Sequence, residues 1–269
     1  MELAATSFSG ELPPSIGNLS YLNTLAVLCC NFTGSIPSSL GNLTNLILLM
    51  LSNNTFKGEV PSSFGNLNQL SALDLSCNQL TGPIPNSIFN LTNLQYLDLG
   101  RNYFSGTVEF DEFVKLKHLT VLYLSYNQLS LLFKEPNANA TFPKFRRLSL
   151  PSCNLSKFPD FLRSQDGLEH LVLSDNNLVG PIPEWMLNVG KASLELLCLS
   201  NNSLTGFAQH PILLPWTRLA ILDLRSNLLQ GLLPIPPVTI SSHIEKMRRS
   251  LHRSHIEKMR RSLHRVGSL

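Results

Sequence analysis

The apolar residues of this chain fall into a recurring order, seen most plainly between Leu70 and Asn93. There Leu70, Leu73, Leu75 and Leu80 surround Asn78 in the order L-x-x-L-x-L-x-x-N-x-L. With the opening leucine as position one, positions four and six alternate with polar residues at period two. That predicts a short strand with one buried and one solvated face. Asn78, at position nine, carries a donor and an acceptor on one side chain and suits a buried turn whose backbone groups would otherwise go unpaired. In the second half of the unit, Gly82 supplies angles or a close approach that a Cβ forbids. Ile84 points inward, and Pro85 withholds a donor where the chain leaves the strand. Ile88 and Leu91, three apart, fit one turn of 3₁₀ helix on the far side.

The order recurs from Leu22, Leu46, Leu70, Leu94, Leu119, Phe145, Leu168, Leu194 and Leu219, in steps of 24, 24, 24, 25, 26, 23, 26 and 25 residues. Such regularity predicts an α/β-type repeat solenoid, with a parallel sheet on the concave face and 3₁₀ turns on the convex face. Each coil then buries its leucines against its neighbours. Residues 1–20 read as a partial repeat entered at Phe8-Ser9-Gly10-Glu11-Leu12-Pro13, with its first strand missing. Residues 21–241 hold about nine repeats, 242–265 a duplicated basic dodecapeptide, and 266–269 the terminus.

Some coils depart from the pattern. After Leu129 the glycine and proline give way to LLFKEPNANATFPKF, expected to be a polar bulge of the convex side. Cys30 and Cys153 stand at the asparagine position, which the repeat allows. GFAQHPILLPW replaces the usual half-coil after Leu204, and PIPPVTIS, after Leu233, is too rich in proline to continue a strand.

Charge separates the tail from the repeats. SHIEKMRRSLHR, from Ser242 to Arg253, recurs unchanged from Ser254 to Arg265, and the two copies carry a net charge of +6. The remainder, with 13 Lys or Arg and 16 Asp or Glu, has a net charge of −3, so no nucleic-acid partner is expected of the solenoid. A twelve-residue shift turns an ideal helix by about 120°, so the two apolar stripes of the tail diverge and disorder is expected.

Candidate chemistry is sparse. Apart from the vicinal Cys29 and Cys30, the five cysteines fall at least two coils apart, beyond a disulfide's reach of about 7 Å between Cα atoms, and all are expected to be free thiols. No G-x-S-x-G, H-E-x-x-H, phosphate loop or C-x-x-C occurs, and neither an enzyme nor a metal or cofactor site is expected. His170 and Cys198 share the outer face of adjacent strands, without an orienting acid. Eight N-x-[ST] sequons occur, at Asn18, Asn31, Asn42, Asn53, Asn90, Asn139, Asn154 and Asn201. Asn139 in the irregular loop, and Asn18, Asn42 and Asn90 at convex turns, are the expected glycan acceptors. No basic start or apolar leader precedes the repeats, and no apolar run reaches the roughly 18 residues of a membrane helix.

What remains is a surface. Positions two, three, five, seven and eight face outward, a rigid array suited to an extended peptide or protein ligand. Asp74, Asp98 and Asp223 share position five and read as part of the repeat. Tyr96, Arg101, Tyr123, Tyr126, Arg147, His170 and Asp175 lie on four neighbouring strands. They form the candidate ligand-binding patch, tyrosine and arginine being favoured at binding hot spots.

The L-x-G-x-I-P half-coil resembles the plant-specific subfamily of leucine-rich repeats. CNFTGSIPSSLGNLTNL, SCNLSKFPDFLRSQDGLEHLVLSDNN and LLPWTRLAILDLRSNLLQGLLPIPPVTIS are similar to the ectodomains of plant receptor-like proteins of the disease-resistance type, which lack a kinase domain. The resemblance implies recognition of microbial or endogenous ligands, signalling through a partner receptor kinase, and a place at the plasma membrane or outside the cell. In that family more repeats, a cysteine-containing cap, a membrane helix and a short tail follow, none of which is seen here. Three readings stay open: a truncated receptor ectodomain, a secreted inhibitor of microbial wall-degrading enzymes, and a nonfunctional truncated product with exposed apolar ends.

Overall fold

The computed structural model describes residues 1–133, 141–209, 213–232 and 234–235. Asn139 and the duplicated tail lie outside the described residues. Positions three to five of successive coils form nine three-residue strands. They are β1 (Thr24–Ala26), β2 (Leu48–Met50), β3 (Ala72–Asp74), β4 (Tyr96–Asp98), β5 (Val121–Tyr123), β6 (Arg147–Ser149), β7 (His170–Val172), β8 (Leu196–Cys198) and β9 (Ile221–Asp223). They hydrogen-bond in chain order as one parallel sheet. The register never slips, because the central leucine of each strand pairs with that of the next, as Leu73 does with Leu97 and Leu97 with Leu122. A slip of one residue would turn these leucines to solvent. Leu25 to Leu197 at this position are all buried, as are the leucines or valine at position six up to Leu199.

Asparagine at position nine stitches neighbouring coils together. Asn78 Nδ2 donates to Leu51 O of the preceding coil and to Leu75 O of its own, at 3.0 and 3.1 Å, while its Oδ1 accepts from Phe56 N at 3.1 Å. Asn54, Asn102, Asn127, Asn176, Asn202 and Asn227 repeat the arrangement. Cys30 partly reproduces it, its Sγ donating to Leu3 O and Leu28 O. Cys153 does not, since its buried Sγ reaches only Pro151 O, at 3.5 Å.

Three expectations change in part. The first coil holds no regular strand before Ser9, but its start is paired: Glu2 bridges Ala26 in parallel, and Leu3 N and Ala5 N donate to Ala26 O and Leu28 O. Residues 1–5 thus run beside β1, although their sequence lacks the leucine alternation. Second, the L-x-G-x-I-P half builds a further layer of parallel strands that its glycines and prolines conceal. Lys57–Gly58, Gln79–Gly82, Tyr103–Glu109 and Gln128–Leu132 pair in order, Ser9–Glu11 pairs with Asn31–Thr33, and Val179–Ile182 with Ser203–Phe207. Gly82, at φ +77°, makes the bend within this layer.

Third, the described flanks of the expected polar bulge are packed. Gln128–Leu132 pairs with Ser105 to Glu109, and Phe133, Phe142 and Phe161 surround Phe110 at ring-centroid distances of 4.8, 5.7 and 4.8 Å. Aromatic packing here takes over the role of the lost glycine and proline. The described part of the proline-rich end forms no strand, and Ile235 makes a single bridge to Leu213. The half-coil after Leu204 is anchored by fully buried Trp216, whose Nε1 donates to Val189 O at 2.9 Å.

On the convex side 3₁₀ turns such as Pro14–Asn18, Ser38–Asn42 and Asn86–Asn90 close the coils, and the exposed Asn18, Asn42 and Asn90 are their last residues. All five cysteines are free, as the coil spacing requires.

Candidate ligand-binding face

Parallel register sets the outward residues of β3 to β9 in rows. Position three presents Tyr96, Val121, Arg147, His170 and Leu196 side by side. Position five presents Asp74, Asp98, Tyr123, Ser149, Val172 and Cys198. Position eight carries Cys77, Arg101, Tyr126, Ser152, Asp175 and Asn201, all with φ between 53° and 56°. This left-handed conformation, sparsely populated by residues other than glycine, asparagine and aspartate, holds the side chains of Arg101 and Tyr126 at the rim of the sheet.

These rows bring four of the seven candidate residues together. The rings of Tyr96 and Tyr123 meet edge to face with centroids 6.1 Å apart. The Arg101 guanidinium lies 5.0 Å from the centre of the Tyr126 ring, a cation–π contact. Between them a hollow of about 250 Å³ is lined by Asp98, Arg101, Tyr123 and Tyr126, with Cys77 at one side. Its floor includes Ser125 and Ser149, whose hydroxyls are 2.7 Å apart.

Asp98 is the residue that sequence reasoning passed over. Its Oδ1 accepts from Gly100 N at 2.8 Å and its Oδ2 from the Tyr96 hydroxyl at 3.3 Å. Burial pushes its carboxyl up to about 6, helped by the neighbouring charge of Asp74 and opposed by the Gly100 N–H. Burial, followed by the charge of Asp98, likewise raises Tyr96, and burial raises the Cys77 thiol. Laying position five of successive coils side by side would have found Asp98, because the row joins it to Tyr123 and Ser149.

The remaining three candidates lie apart from the hollow. Arg147 neighbours His170 across β6 and β7, and His170 Nε2 is 3.9 Å from Glu195 Oε2. Burial, then the charge of Arg147, lowers the His170 imidazole below its ordinary value, against the pull of Glu195 and Glu169. Cys198 Sγ turns to Ser200 Oγ and Asp223 Oδ2, at 3.3 and 3.5 Å, rather than to His170. Asp175 accepts from Asn201 Nδ2 at 2.7 Å. Among the described residues no cluster of three or more His, Cys, Asp or Glu could hold a metal ion. No described helix is long and apolar enough to cross a membrane.

Comparison with known proteins agrees with this architecture. A family model described as a leucine-rich repeat region matches residues 1–174, and a leucine-rich repeat model matches 167–189. Receptor-like protein 7 of Arabidopsis thaliana is 37% identical over 130 residues, 48% of this chain and 13% of that protein. Matches to Arabidopsis receptor-like proteins span between 13% and 17% of their lengths. The leucine-rich-repeat ectodomain of the Arabidopsis receptor kinase HAESA, solved in complex with an extended IDA peptide hormone ligand, superimposes with a TM-score of 0.75 and 34% identity. The match covers 87% of this chain and 38% of that one. A plant ice-binding protein superimposes with a TM-score of 0.67 and 26% identity, over 88% of this chain and 75% of that one. With a family model covering more than half of its length, the chain belongs to the leucine-rich-repeat family.

Proposed function

We propose that this chain is the ligand-recognition part of a plant cell-surface receptor-like protein, and that its sheet face binds an extended peptide. The observation that carries the reading is the hollow lined by Tyr123, whose ring packs on Tyr96, and by the cation–π pair of Arg101 with Tyr126, on a rigid parallel sheet. Preorganised tyrosine and arginine side chains lose little entropy on binding and supply both apolar area and hydrogen bonds. A peptide side chain enters the hollow, while the flanking strands, with Arg147 and His170, meet its continuation. The HAESA ectodomain, of similar architecture, is a peptide-hormone receptor, which supports this choice of ligand class. Signalling then requires a partner receptor kinase. Whether the role is immune or developmental depends on the peptide.

The test is a selection from a displayed library of random peptides on the immobilised chain, with counter-selection on Tyr123→Ala and Arg101→Glu variants. Peptides retained by the parent chain and released by both variants support the reading. A selection that enriches nothing, or enriches peptides indifferent to both substitutions, overturns it.

A further inference from the structure

The early convex turns lock together through glycine. A Cβ on Gly17 would lie 2.5 Å from Ser39 O, one on Gly41 2.4 Å from Ser63 O, and one on Gly65 2.7 Å from Ser87 Cβ. Glycine at these positions lets the backbone of the next turn settle directly against it. Ser39 and Ser63 use the closeness to donate to Pro14 O and Ser38 O of the preceding turns, at 2.6 and 2.7 Å.

The turn Asn86–Asn90 carries Phe89 where these three carry glycine. Its ring leaves no room for a neighbouring backbone and instead meets Phe113 of the next turn, Phe110–Lys115, edge to face with centroids 5.1 Å apart. Between the two turns lies a groove of about 610 Å³. That is within the ~300–1,000 Å³ usual for small-molecule sites. Ile84 and Val108 give it apolar wall, and Glu112, Lys115 and Thr107 give it polar groups. Ser87 also lines it, and the Ser87 Oγ is buried with no hydrogen-bond partner. At its mouth stands exposed Asn90, the first residue of the sequon Asn90-Leu91-Thr92.

We propose that this groove seats the inner sugars of an N-linked glycan carried by Asn90. The glycan is covalently held at the groove's edge, so no binding entropy beyond its own torsions opposes the seating. Sugar hydroxyls and N-acetyl groups both donate and accept, matching Ser87, Thr107, Glu112 and Lys115, and their C–H faces suit Ile84 and Val108. The sequons at Asn18 and Asn42 sit on turns closed by the glycine contacts, so glycans there extend into solvent.

The inference rests on the reading of this chain as a cell-surface ectodomain. The test expresses the full chain behind a secretion leader in cells held at high-mannose glycans. Release by endoglycosidase H is followed site by site with mass spectrometry. Native Asn90 is expected to lose its glycan roughly tenfold more slowly than Asn42, corresponding to about 1.4 kcal/mol of protection. The difference is expected to vanish on denaturation and in Phe89→Gly, which restores the glycine of the earlier turns. Equal native rates at Asn90 and Asn42 overturn the groove's role, as does sugar on Asn42 without sugar on Asn90. A secreted chain bare at every sequon overturns the inference and counts against the ectodomain reading too. The comparison of two sites within one unaltered molecule holds even if the Phe89→Gly variant fails to fold.

Discussion

The side-chain amide of Asn78 donates at 3.0 Å to the carbonyl of Leu51, 27 residues earlier in the sequence and one coil back in space. Through such bonds each coil with asparagine at this position is fastened to its predecessor by a largely shielded side chain. Substituting Asn78 by Leu leaves Phe56 N and Leu51 O without these partners, at roughly 1–3 kcal/mol for each buried group. The expected result is a clear fall in the urea midpoint. Cys77→Ala, one residue away on the outer face, is expected to change it little. Comparable midpoints for the two variants would contradict the stitching role.

The cysteines differ in access. Cys29 is exposed, whereas Cys153 is buried and its thiol is pushed up to about 12 by burial alone. Since the thiolate is the reactive form, iodoacetamide near pH 8 is expected to label Cys29 rapidly. Cys153 should react only at the rate of local opening. Mass spectrometry of the partly labelled protein reads both. Labelling of Cys153 as fast as Cys29 under native conditions would mean that the coil from Phe145 is open.

Asp98 ties stability to pH. Its carboxyl titrates near 6 in the folded chain against an ordinary 3.8, with Asp74, Tyr96, Arg101 and Cys77 as its ionisable neighbours. The folded state therefore keeps a proton that the unfolded state has lost, so this residue's contribution to stability falls as pH rises from 3.8 to about 6. Below that window the penalty is absent, and above it the penalty is fully present. Asp98→Asn removes it. Thermal midpoints of parent and variant are expected to lie closer at pH 4 than at pH 7, with the variant the more stable at pH 7. An unchanging difference across that range would contradict the account.

The repeat was legible because it is enforced at every coil. Positions one, four, six and nine can be filled only by residues that suit a buried column, and the strands and turns follow from their spacing. The second layer of strands was not legible, since Gly82 and Pro181 are poor strand formers and pair only because the neighbouring coil presents a matching backbone edge. The strand-like course of residues 1–5 was hidden for a related reason: Met1 to Ala5 carry a single leucine, Leu3, without the period-two alternation, and β1 templates them. The candidate patch was half legible. Tyr96, Arg101, Tyr123 and Tyr126 do converge, while Asp98 was masked by its likeness to Asp74 and Asp223. Arg147, His170 and Asp175 join other partners because lateral neighbours in the rows, invisible in a linear sequence, decide their contacts.

Arg101 and Tyr126 adopt left-handed backbone angles of 55° to hold their cation–π contact at the rim. The contact stabilises by about 0.5–1 kcal/mol at an exposed site, similar to the cost of the backbone conformation. Tyr126→Gly is therefore expected to leave the thermal midpoint almost unchanged while weakening peptide binding. A large loss of stability would assign Tyr126 to the fold instead.

The measurement closest to the central claim is the affinity of a selected peptide for the parent chain, for Tyr123→Ala and Arg101→Glu, and for Lys115→Glu on the opposite face. Isothermal titration is expected to show at least a tenfold loss for each of the first two, about 1.4 kcal/mol. Lys115→Glu should bind as the parent does. Equal affinity across all four proteins, or a loss confined to Lys115→Glu, would place the ligand elsewhere and contradict the assignment of the sheet face.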